Sequence, residues 1–62
     1  MSQTHDDIMT AIQTYSEENS KFTDKGVKAS ATRARKALAE LAKLIKARRK
    51  EIQEAKNAEK AA

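Results

Sequence analysis

The 62-residue sequence contains no cysteine, no proline and no tryptophan, and only one glycine, one tyrosine and one phenylalanine. Without cysteine there can be neither a disulfide framework nor a thiolate metal site. Without proline, and with Gly26 the one residue that takes positive φ freely, the chain has few places to turn. No apolar run approaches the ~18 residues of a membrane span, and no signal-peptide core follows Met1. A soluble, cytoplasmic protein without membrane contact is therefore expected. Strand signals are missing as well, because nothing alternates with period two.

Bulky apolar residues are also scarce. Beyond Met1 they are Ile8, Met9, Ile12, Tyr15, Phe22, Val27, Leu38, Leu41, Leu44, Ile45 and Ile52, and the rest of the hydrophobic fraction is alanine. Alanine favours helix but buries little area. A lone chain of this size struggles to offset its ordering entropy, so association with a second copy is expected. Catalysis needs a pocket with convergent polar groups, which so short a chain has little volume to build. His5, next to Asp6 and Asp7 near a terminus, makes a poor metal site. No catalytic residue, cofactor, metal or small-molecule substrate is expected.

What the sequence does have is helical periodicity. Ile8, Ile12, Tyr15, Asn19 and Phe22 follow steps of four and three. The same rhythm runs through Ala31, Ala34, Leu38, Leu41, Ile45, Arg48, Ile52, Ala55 and Glu59. Both read as seams for helix-on-helix contact, with Asn19 a register-setting polar residue and Arg48 either snorkelling or pairing with an acid of the first helix, Glu17 or Glu18. The two seams are out of phase around Lys25-Gly26, where a glycine follows a terminal cation as at a helix C-terminus.

The spacing predicts an all-α fold: one domain over residues 1–62, an antiparallel helical hairpin with a longer second helix. The first helix spans about 4–24, opened by a Thr4/Asp7 capping box; the turn is 25–27 and the second helix is about 28–58, with a frayed tail. One continuous helix tolerating Gly26 is the rival. The second helix outruns the first by about ten residues and carries Ile52 in the overhang. Only another chain would cover it, which predicts a homodimer in a four-helix arrangement.

Charge is divided between the halves. Residues 1–24 sum to −4 and residues 25–62 to +8, within a net charge of +4. On a helical wheel Lys28, Arg35, Lys36, Lys43, Lys46, Arg49 and Lys50 lie mostly opposite the second seam, with Arg33 off this stripe near the helix start. Glu40 and Glu54 offer only local pairs, with Lys36, Lys43 and Lys50. A one-signed stripe on a rigid helix suits a polyanion, with phosphates releasing counterions. The bland reading is a solvated face. Aromatics are absent from the basic half, so stacking on single-stranded bases is not expected. Phosphate contact without sequence reading to duplex DNA, or to RNA, is the leading expectation. A structural module docking an acidic partner is the alternative.

The segment Lys25-Gly26-Val27-Lys28-Ala29, followed by Arg33-Ala34-Arg35-Lys36-Ala37, resembles the bacterial histone-like proteins related to the chlamydial linker-histone-like nucleoprotein. Leu38, Leu41 and Arg48-Arg49-Lys50-Glu51-Ile52 extend the likeness, which covers about residues 20–57. The resemblance implies DNA binding and compaction in a bacterial nucleoid, with Lys28, Arg33, Arg35 and Lys36 as a phosphate-contacting cluster. It also gives Arg33 a reason to stand where the helix dipole disfavours it. Two features depart from that family. The chlamydial protein continues into a long Lys/Ala/Pro-rich tail where this sequence has six mixed residues, so strong compaction by such a tail is not expected. Val27, standing where a polar turn residue is expected, is expected to cap the core at the bend.

Overall fold

The computed structural model describes residues 2–61, with side chains through Ala58. Two helices pack antiparallel: α1, Gln3–Lys25, and α2, Lys28–Ala61. The molecule is a rod of 53 × 16 × 14 Å. Among the described residues there is no strand.

The bend is built at Gly26, whose φ of 68° and ψ of 25° are left-handed. There its N–H donates to the Phe22 carbonyl at 3.0 Å, and the Val27 N–H donates to the Lys21 carbonyl at 3.3 Å. Both bonds satisfy carbonyls that the end of α1 would leave open. Helix α2 then starts at once, with the Ser30 N–H donating to the Val27 carbonyl at 3.1 Å. Val27 itself stays partly exposed rather than closing the core at the bend.

The start of α1 departs from the expected capping box. Ser2, in extended backbone, is the N-cap, and its Oγ accepts from the His5 N–H at 3.3 Å. Thr4 lies inside the helix and donates its hydroxyl to Glu51 on α2. The cap falls two residues upstream because the helix already begins at Gln3, and Ser2, like Thr4, also donates to Glu51. Helix α2 extends to Ala61, beyond the end expected near residue 58, in keeping with its Ala, Glu and Lys content. Ala62 lies outside the described residues.

The contact between the helices keeps only part of the expected seams: Ala34 is buried, and Ile8, Tyr15, Asn19, Ala31, Leu41 and Arg48 are half-buried. Its buried residues are Ala11 and Glu18 on α1 and Ser30, Ala34 and Ala37 on α2. Tyr15, Leu41, Leu44 and Arg48 are half-buried beside them. The contact is rotated by about one residue, so Ile12, Leu38, Ile45 and Ile52 stand at its edge, 42–52% exposed. Phe22, near the bend, is 44% exposed, and Asn19 is half-buried. Ala55 is exposed, and the Glu59 side chain lies outside the described residues. The physical reason is twofold. Small side chains at the centre let the helix axes approach closely. This rotation also brings Glu18 and Glu51 within reach of polar partners on the opposite helix.

Because α2 is longer, the two helices end unevenly. Ser2 reaches Glu51, so residues 52–61 of α2 continue past the start of α1.

Candidate nucleic-acid interface

Cations dominate α2 and carboxylates dominate α1. At 100° per residue, Lys28, Arg35, Lys36, Lys43, Lys46, Arg49 and Lys50 spread over the side of α2 that faces away from α1. All seven are exposed. Lys36, Lys43 and Lys50 repeat every seven residues, about 10.5 Å apart, along one line of the helix. Among the described residues none of the seven has a carboxylate within ion-pair distance. The local pairs with Glu40 and Glu54 that the sequence allows are not formed.

Arg33 is placed differently. It donates from Nε to Glu18 Oε1 at 2.5 Å and from Nη2 to Ser30 Oγ at 3.1 Å. The Glu18 side chain is 8% exposed, while that of Arg33 is 53% exposed. Lys21 adds a weaker contact to the same carboxylate at 3.6 Å. The Arg33 hydrogen bond, its charge, Lys21 and the Ser30 hydroxyl together hold Glu18 below the usual carboxylate range, against the opposing effect of burial. Arg33 therefore crosses between the helices and stands at the edge of the basic face, one side chain serving both.

A second polar cluster ties the far end. Glu51 accepts from the hydroxyls of Thr4 and Ser2, the latter at 2.8 Å, and from Arg48 Nη1 at 2.9 Å. Those bonds, Thr4 foremost, hold its pKa below the usual carboxylate range. The carboxylate also sits at the positive end of the α1 dipole. Arg48 thus pairs within α2, three residues from its partner, and not with Glu17 or Glu18 as the seam suggested. Glu18 is taken by Arg33, and Arg48 lies near the other end of the hairpin.

The two remaining sides of the rod differ in character. On one, Thr10, Thr14, Arg33, Lys36 and Glu40 line an open groove of about 650 Å³. On the other stand the exposed apolar residues. Among the described residues no three His, Asp or Glu side chains come together as a metal site, and no helix is long and apolar enough to cross a membrane.

An all-α hairpin with one flank basic along its length is a small charged-helix protein. More particularly, residues 2–58 match the family of the histone H1-like protein Hc1, and the chain belongs to that family. It is thus, at family level, a histone-like DNA-binding protein of the kind that compacts chromatin. No curated protein and no solved structure matches the chain.

Proposed function

We propose that the chain binds duplex DNA without regard to sequence, as a homodimer, through phosphates contacted by the outer face of α2, and acts on the nucleoid. The observation that carries this reading is the set of seven exposed cations on that face with no ion-pair partner among the described residues. Repulsion along such a row is relieved when phosphates replace it and release their counterions. Lys28, Arg35, Lys36, Lys43, Lys46, Arg49 and Lys50 make the contacts. Arg33, already engaged by Glu18, adds its charge at the margin and is the least available of the eight.

A pre-formed helix lying along phosphates positions the protein but reads no base edges. No aromatic side chain lies on α2 to stack on bases. The test is binding to a mixed-sequence duplex across a salt series, with DNA competitors of other sequence and double-stranded RNA as a further arm. About five phosphates neutralised give a slope of log K against log salt near −4 to −5. Equal competition by unrelated DNA sequences supports the reading. Absence of binding at low salt overturns it and favours docking of an acidic protein partner.

A further inference from the structure

Five apolar side chains lie on one face of the rod. Met9 and Ile12 stand to one rotational side of the contact line on α1, and Leu38, Ile45 and Ile52 stand to the same rotational side on α2. In an antiparallel pair those two sides form a single face. The open groove lined by Thr10, Thr14, Arg33, Lys36 and Glu40 occupies the opposite face, in agreement with that assignment. All five apolar residues are 42–53% exposed. Leu38, Ile45 and Ile52 repeat every seven residues, the spacing that packs against another helix.

The chain exposes 5095 Å², roughly 1,100 Å² more than the ~4,000 Å² typical of a folded monomer of its 6.9 kDa mass. A standard protein interface takes about 800 Å² from each partner, so the excess is what one partner of this length would cover. The occupant that fits is a second copy of the chain. Charge decides how it docks. Helix α1 has five acidic and two basic residues, and α2 has eleven basic and four acidic. Laying α2 on the partner's α2 sets like charge on like. Laying α1 on the partner's α2 sets opposite signs together and makes every neighbouring pair of helices antiparallel.

We infer that two hairpins pack face to face with α1 of each over α2 of the other, and that this dimer bridges two DNA duplexes. The inference rests on the DNA-binding reading above and adds the mode. A two-fold axis parallel to the helices puts the two α2 helices at diagonal corners of the bundle. Their basic faces then point in opposite directions, separated by about two helix diameters, ~20 Å. One duplex cannot lie on both. Each dimer therefore holds two segments of DNA, which condenses it without wrapping or bending it.

Two measurements test this on the full chain, which contains no cysteine to interfere. In the first, Ile12→Cys and Leu38→Cys chains of different mass are mixed and treated with a short bismaleimide. Mixed Ile12→Cys–Leu38→Cys products are expected to dominate; dominance of Leu38→Cys–Leu38→Cys products would overturn the arrangement. In the second, duplex fixed on beads is asked to capture a labelled free duplex through the protein. Wild type is expected to capture it. The Leu38→Glu/Ile45→Glu variant, altered outside the buried contact and checked for retained helicity, is expected to bind one duplex and lose capture at least tenfold. Capture that persists in this variant overturns the inference. Wild type that binds one duplex but captures none overturns bridging alone, whereas wild type that binds no duplex overturns the DNA-binding reading itself.

Discussion

Glu18 and Arg33 meet across the hairpin, fifteen residues apart in sequence, with the guanidinium Nε 2.5 Å from a carboxylate oxygen. The pair fixes the register of α1 against α2, because a slip of one residue in either helix would turn one partner away. Its strength should be visible as coupling. Arg33→Ala and Glu18→Ala each lower the thermal midpoint, and the double variant should lose clearly less than the sum of the two. Strict additivity in thermal unfolding would show that the register is held elsewhere.

Acid should loosen the hairpin. Glu18 and Glu51 are both held below the ordinary carboxylate range by bonds that exist only in the folded state. A lowered folded value means that their stabilisation is complete above the unfolded value of about 4.3 and is lost as pH falls through the folded one. Helicity followed by circular dichroism should thus be flat from pH 7 to about 5 and fall below about 4. Glu18→Gln with Glu51→Gln should flatten that fall, and a fall of unchanged size would assign it to other groups.

The bend gives a cleaner number. Gly26 has positive φ, and a Cβ added there meets nothing within 4 Å. Gly26→Ala therefore costs only the left-handed backbone penalty, about 1–2 kcal/mol. In a domain of this size that is a drop of several degrees in Tm, roughly 4–8 °C for each kcal/mol. Gly26→Asn should cost less than Gly26→Ala, since asparagine tolerates that region better. Equal Tm values for wild type and Gly26→Ala would contradict the geometry of the bend.

The row Lys36, Lys43 and Lys50 offers a test of the proposed interface that spares the fold, since all three are exposed and lack ion-pair partners among the described residues. Replacing the three by alanine should weaken binding to every duplex alike. It should also flatten the salt dependence by about two to three units in slope if each lysine meets one phosphate. Arg33→Ala alone should change the slope by less than Lys43→Ala, because Glu18 already holds that guanidinium. An unchanged slope in the triple variant would remove this row from the interface.

The sequence made the two helices, the bend at Gly26 and the longer α2 legible, because periodicity and a lone glycine are local signals. The basic face was equally legible, being a matter of wheel position. The facing surfaces were not. A pattern of large apolar residues picks out the strongest hydrophobic line, Ile12 and Leu38 among them. The hairpin closes on Ala34 of the expected seam together with Ala11 and Ala37 outside it, where small side chains and polar pairs fit. Nothing local to Glu18 or Arg33 tells that they meet, since each also reads as an ordinary exposed charge. Ser2 caps α1 locally through the His5 N–H, but its bond to Glu51, forty-nine positions away, carries no local signal.

Among the described residues, the buried hydrophobic side chains of the hairpin are three alanines, Ala11, Ala34 and Ala37. Such a core leaves little stability in reserve for the isolated chain. Under the proposed assembly, the missing share comes from the second copy and from DNA, each adding stability by mass action as its concentration exceeds its dissociation constant. Abundance then sets the folded fraction. A chain diluted away from its partners opens and becomes a protease substrate, so that removing the DNA would itself shorten the protein's lifetime.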